Sequence, residues 1–302
     1  MSDAQYRAQV ALLVRILPLM ASEPEFALKG GTAINLFWRD LPRLSVDLDL
    51  TYLPLADRPT SLAAIEAGLR RMAERIRTQI AGAAVDLQGG AEGVHRLLVR
   101  AGGTQVKVEV TPVLRGVVFA PEVHAVSSKV ENAFGFAEVS LVSFADLFAG
   151  KMVAALDRQH PRDLFDVCGL LATEGLTRPL IEAFLVYLIS HNRPMAEVLA
   201  PNRKDIAEEF ERTFVGMTEV PVALGDLLQA REDLLAGVHA NLTETDRRFL
   251  MGVKTGEPDW SLLGVPQAAG LPAVQWKLAN LARLPSARRQ ALADRLREVL
   301  GL

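Results

Sequence analysis

Apolar and polar residues alternate repeatedly along the first half of this chain, and the alternation stops after residue 142. That change constrains the fold more than any compositional figure. Before it, Phe26-Ala-Leu-Lys29, the run Arg43 to Tyr52, and the runs 94–100, 104–111 and 136–142 read as strands. Gly102-Gly103 joins two of these runs as a tight hairpin. Helices are expected over 4–20 and 61–80, with a short one from Thr32 to Trp38. Beyond residue 142 the spacing is helical, over 143–157, 161–173, 177–190, 202–214, 224–238, 243–253, 269–282 and 285–299. The expectation is an α+β domain over 1–142 followed by an all-helical domain over 143–302.

The net charge of −3 over 302 residues excludes a protein that binds nucleic acid through its overall charge. Any such contact needs a local patch. The last helix carries Arg283, Arg288, Arg289, Arg295 and Arg297, and an earlier stretch has Arg203, Lys204 and Arg212 among acidic residues. Each patch, taken alone, reads as a solvated helix face. Trp276 reads as core. The single cysteine, Cys168, lies in an apolar helix, cannot form an internal disulfide, and reads as a buried thiol. Five scattered histidines show no zinc-ligand spacing. The first apolar run is too short and too interrupted for a signal peptide or a membrane span. The expectation is a soluble, cytoplasmic protein with no membrane partner.

Chemistry concentrates near the N-terminus. Glycine lacks a Cβ, so at Gly30-Gly31 backbone N–H groups can approach a phosphate. Thr32 then opens a helix whose free N–H groups favour an anion. A strand–turn–helix corner with a threonine cap is the plainer reading of the same residues. The next strand places Arg43, Ser45, Asp47 and Asp49 on one face and Leu44, Val46, Leu48 and Leu50 on the other. Same-face neighbours lie roughly 7 Å apart, so Asp47 and Asp49 can converge on a cation. Magnesium takes one or two carboxylates together with substrate phosphates. Two like charges on one strand face are unfavourable without such a counterion. Glu109, alternating with Val108 and Val110, is a further carboxylate: a metal ligand, a base for an incoming hydroxyl, or a surface partner of Lys107.

These residues resemble a known family. Gly30-Gly31-Thr32, then Arg43-Leu-Ser45-Val-Asp47-Leu-Asp49, is similar to the opening signature of the AbiEii/AbiGii-type toxins of the DNA polymerase beta-like nucleotidyltransferase superfamily. Lys151-Met-Val-Ala-Ala-Leu-Asp157-Arg158 and Pro161-Arg162-Asp163-Leu-Phe-Asp166 resemble the family's lysine and Arg-Asp motifs. The resemblance runs in order from about residue 26 to 172. It implies a nucleotidyltransferase-like mixed sheet with flanking helices, followed by helices carrying the later motifs. It also implies a toxin of a bacterial toxin–antitoxin pair, often linked to phage defence, with a cognate antitoxin encoded nearby. Its expected reaction is magnesium-dependent transfer of a nucleoside monophosphate from a nucleoside triphosphate to RNA, at the tRNA 3′ end, which blocks translation.

The later motifs also have readings of their own. Lys151 sits among Leu147, Phe148, Met152, Ala155 and Leu156, where an ammonium can reach a phosphate or merely snorkel. Arg158 follows on the same helix face. Asp163 falls in the first turn of a helix begun by Pro161, where any acid is favoured. Asp166 could pair with Arg162 at i and i+4. His160 reads as a cap. With the motif match, the expected site is Asp47 and Asp49 for magnesium, Gly30, Gly31 and Thr32 for the triphosphate, Lys151 and Arg158 for phosphates, and Asp166 to orient Lys151. Glu109, Arg162 and Asp163 are further candidates. The alternatives are a kinase-like phosphotransferase on the same scaffold and a non-catalytic nucleotide- or partner-binding protein.

Overall fold

The computed structural model describes residues 3–90 and 93–302. The chain divides into two compact units, Met1–Ser143 and Phe144–Leu302. All strands among the described residues lie in the first unit, as the change in periodicity anticipates.

The first unit is built on a seven-stranded mixed sheet with spatial order β3-β4-β5-β2-β1-β7-β6. The strands are β1 (Phe26–Lys29), β2 (Asp47–Tyr52), β3 (Ala84–Gly90), β4 (Gly93–Ala101), β5 (Thr104–Val110), β6 (Glu122–Ala125) and β7 (Glu138–Leu141). β2 runs antiparallel to β1 and parallel to β5. Alternation sorts β2 and β5 into two faces. Leu48, Leu50, Val108 and Val110 are fully buried, while Asp47, Asp49, Lys107 and Glu109 share the opposite, polar face. Helices α1 (Asp3–Ala21) and α3 (Arg58–Gln79) pack on the sheet and against each other. Val10, Leu13 and Leu17 of α1, with Leu69, Met72 and Ile76 of α3, form that core. α3 starts where a helix should: Pro59 lies in its first turn, and the Asp57 carboxylate accepts the Thr60 N–H at 2.9 Å.

Between β1 and β2 the chain makes one short turn of helix, α2 (Gly30–Ala33), and then a wider π-turn, Ile34–Trp38, closed by Arg39 N–H donating to the Ile34 carbonyl at 2.9 Å. The expected regular helix is therefore replaced by two kinds of turn. The expected strand from Arg43 begins only at Asp47. Arg43 is 3% exposed, so it is a buried residue of the approach loop and not a member of the polar strand face. Two strands and a helix of this unit lie outside the sequence expectation: β3, β6 and α4 (Ser128–Phe134).

The second unit is helical throughout. Its helices are α5 (Phe144–Arg158), α6 (Pro161–Thr173), α7 (Arg178–Ser190), α8 (Met195–Leu199), α9 (Ala207–Thr213), α10 (Leu224–Asn241), α11 (Glu244–Thr255), α12 (Pro272–Ala282) and α13 (Ser286–Leu300). α5 packs on α6 and α7, and α10 on α6. Phe148, Met152, Leu156, Leu164 and Phe184 fill the centre. The helix expected over 202–214 starts at Ala207, after a non-helical stretch held in part by Lys204. Trp276, read as core, is 52% exposed, and the Cys168 thiol is half-buried and not enclosed. Arg295 and Arg297 on α13 pair with Glu298 and Asp294 on a solvated face. Among the described residues no helix is long and apolar enough to cross a membrane.

Candidate active site

The glycine turn and the aspartate pair are parts of one structure. Gly30 has φ +79°, and a Cβ there would stand 2.6 Å from Asp49 Oδ2. A Cβ on Gly31 would meet the Arg43 guanidinium at 2.6 Å and Ser45 Oγ at 3.0 Å. Gly30 is required by its positive φ and by the carboxylate against it, whereas a Cβ on Gly31 would force the Arg43 guanidinium to shift. Asn35, fully buried, fastens the arrangement. Its amide donates to the Gly31 carbonyl at 2.7 Å, and its side-chain oxygen accepts the Arg43 N–H at 3.3 Å. Thr32, 1% exposed, donates its hydroxyl to the Asp47 carbonyl at 2.5 Å and lies 3.0 Å from Ser45 Oγ. That hydroxyl ties the turn to β2, so the turn's backbone N–H groups are what it can offer a phosphate.

Asp47 and Asp49 face the same way on β2, as expected. Their neighbours follow from register. Asp47 is opposite Lys107 and Asp49 opposite Glu109 on β5, while Lys29 of β1 is opposite Asp49 on the other side. Lys107 Nζ lies 3.5 Å from Asp47 Oδ2 and 3.1 Å from Glu109 Oε2. Arg96 of β4 donates to Glu109 Oε1 at 2.7 Å. Burial pushes the Asp49 carboxyl above its usual range against the pull of Lys29 and Lys107, with Asp47 and Glu109 adding to the rise. Burial likewise lowers Lys29, opposed by Asp49 and Glu109. For Glu109 the balance is reversed: burial would raise it, but Arg96 and Lys107 hold it low. So Glu109 lies between two cations, while burial disfavours the charged form of Asp49.

This donor set suits magnesium. Among the described residues no three or more histidine, cysteine, aspartate or glutamate side chains gather as a closed cage. Magnesium does not need one, because it binds through one or two carboxylates and takes its remaining ligands from water and substrate phosphates. The glycine turn packs directly against the Asp49 carboxylate, where a Cβ on Gly30 would clash.

The second unit builds a separate constellation. Lys151, 8% exposed, bonds Asp163 Oδ1 at 2.8 Å and Asp166 Oδ2 at 2.9 Å. Arg158, 61% exposed, reaches back to both oxygens of Asp163, with Nη2 2.9 Å from Oδ1. Burial would raise the Asp163 carboxyl, but Lys151 and Arg158 outweigh it and hold it well below the carboxylate range. The corner between α5 and α6 that allows this is made by Gln159. It takes φ +54° while fully buried, donates to the Asn202 carbonyl at 2.8 Å, and accepts from Lys204 N–H at 3.0 Å and Arg231 at 2.9 Å. His160 caps α6, its Nδ1 accepting the Arg162 N–H at 3.1 Å. Arg162 itself is exposed.

Several members of these groupings escaped the sequence reading. Lys29, Asn35 and Arg96 carry no motif signal, Arg43 stood in the quoted signature without its place against Gly31, Lys107 stood only as a surface partner of Glu109, and strand register and the course of the loop bring them all in. Asp163 was visible, but its partnership with Lys151 and Arg158 was not.

A family model described as "Nucleotidyl transferase AbiEii toxin, Type IV TA system" matches residues 11–280. Among solved structures the chain is similar to MenT4, a nucleotidyltransferase toxin from Mycobacterium tuberculosis H37Rv, with TM-score 0.63 and 17% identity over 93% of this chain and 95% of that one. At that identity the likeness is one of fold. No curated protein matches in sequence. The family match takes in the glycine turn, both aspartates, Lys151 and the Arg-Asp segment, and the chain accordingly belongs to the AbiEii family of nucleotidyl transferase toxins of type IV toxin–antitoxin systems.

Proposed function

We propose that the chain transfers a nucleoside monophosphate from a nucleoside triphosphate to an RNA acceptor, the 3′ end of tRNA, in the bacterial cytoplasm, and that this arrests translation until a cognate antitoxin counters it. The observation that carries the reading is the Asp47–Asp49 pair set against the Gly30-Gly31 turn, with Asp49 Oδ2 packed where no side chain but glycine's hydrogen fits. Asp47 and Asp49 would hold magnesium, which supplies charge neutralisation at the reacting phosphate. The N–H groups of the turn bind the triphosphate. Asn35 and Thr32 keep the turn in place. Lys151 and Arg158 bind phosphate, and Asp163 and Asp166 fix their positions. The acceptor hydroxyl attacks the α-phosphorus, the bond to the β-phosphate oxygen breaks, and pyrophosphate leaves.

The test is incubation of the protein with magnesium, total tRNA and each α-labelled nucleoside triphosphate in turn, beside Asp49→Ala. Label should enter the tRNA band with at least one nucleotide and vanish in the variant, whose cooperative melting transition verifies that it is folded. Transfer retained by a normally folded Asp49→Ala protein overturns the assignment. Label reaching the acceptor from the γ-position alone identifies a kinase-like reaction instead.

A further inference from the structure

Superfamily chemistry of this kind can employ two divalent ions about 4 Å apart. A second ion on β2 would draw on the facing strand, and in this chain that strand offers Lys107 and Glu109. Both are already engaged with each other. The Lys107 ammonium stands between Asp47 Oδ2 at 3.5 Å and Glu109 Oε2 at 3.1 Å, and Arg96 holds the other Glu109 oxygen at 2.7 Å. Register fixes this placement, because Lys107 is the direct parallel partner of Asp47, and Glu109 that of Asp49.

We propose that the Lys107 ammonium occupies the second-cation position, so that the Asp47–Asp49 pair takes a single divalent ion and Glu109 takes none. Lys107 is then a positioning residue: a fixed positive charge bridging two acidic strands. The inference rests on the metal-binding reading of Asp47 and Asp49 given above. Two observations support it independently of that reading. The bridge contacts carboxylates from two strands. Glu109 has no oxygen left that is not facing a cation within 3.1 Å.

The test counts ions directly. Manganese(II) is titrated into the full chain without nucleotide, and bound and free ion are separated by electron paramagnetic resonance. The wild type should bind about one ion per chain, and Lys107→Met, which frees Glu109 Oε2 and Asp47 Oδ2, about two. Lys107→Arg restores the charge and should return the count to the wild-type value; melting curves verify that each variant is folded. Two ions on the wild type, or one on both wild type and Lys107→Met, overturn the Lys107 inference and leave the aspartate pair standing. No ion on any of the proteins overturns the metal reading and the inference with it. In Asp49→Asn, binding should be lost from both backgrounds.

Discussion

Replacing Asp163 with alanine is the sharpest probe of the helical unit, because its consequences can be worked from contacts already described. Removing one partner of a buried ion pair costs about 3–5 kcal/mol, since the charge left behind is uncompensated. Two features place Asp163 at the lower end. Lys151 keeps Asp166 at 2.9 Å, and Arg158 is 61% exposed, so its guanidinium returns to water. An exposed pair of that kind is worth about 0–1 kcal/mol. The expected loss is therefore about 3 kcal/mol at neutral pH, or about 6–12 °C in melting temperature for a unit of this size. The pH dependence gives a second readout. The folded-state pKa of Asp163 lies below its ordinary 3.8, so its stabilising contribution is complete above that value and is lost as pH falls toward the folded pKa. The gap between wild type and Asp163→Ala should stay constant from pH 7 to about pH 5 and then narrow under more acid conditions. Differential scanning calorimetry across that range measures it. An Asp163→Ala protein that melts with the wild type at pH 7, or a gap that persists unchanged into acid, refutes the reasoning.

Two predictions concern the glycine turn. Gly30→Ala places a Cβ 2.6 Å from Asp49 Oδ2 at φ +79°, so it should cost on the order of 1–3 kcal/mol and lower kcat by displacing the carboxylate, read by melting and by labelled transfer. Asn35→Ala removes a fully buried amide and strands the Gly31 carbonyl and the Arg43 N–H, which should cost about 1–3 kcal/mol and raise KM for the nucleotide more than it lowers kcat; an unchanged KM shows that Asn35 does not hold the turn.

The sequence exposed the elements whose chemistry is local and concealed those that depend on register. Gly30-Gly31 and Asp47-Leu-Asp49 are short, and their spacing alone predicts a turn and a polar strand face. β1 and β5 were legible because each buries an apolar set. β6 and most of β3 are exposed edge strands, so they lack the apolar alternation that marks a strand facing a core. Residues 43–46 alternate as a strand does, but Arg43 is drawn inward against Gly31, so the pattern there reflects a loop packed on the turn. Asp163 looked like an ordinary first-turn acid. Its pairing with Lys151 depends on the corner at Gln159, whose positive φ is not encoded by any glycine. Lys107 offered the most misleading signal. Alternation placed it and Glu109 on one face of β5, yet only pairing with β2 shows that this is the face of the aspartates.

The order β5-β2-β1-β7 has a kinetic consequence. β2 is flanked by a strand that precedes it and by one that follows after a long crossover, and β1 in turn is completed by β7, the last strand of the unit. Parallel pairing of distant segments is slow, because loop closure must be met before the contacts form. During synthesis the aspartates emerge early, but Lys107 and Glu109 arrive only with β5, and the sheet closes only when residues 138–141 are available. A ribosome-bound or prematurely ended chain thus displays both aspartates on an incomplete sheet. The residues that the proposed reaction draws from α5 and α6 follow later still, so no partial chain holds the whole proposed set.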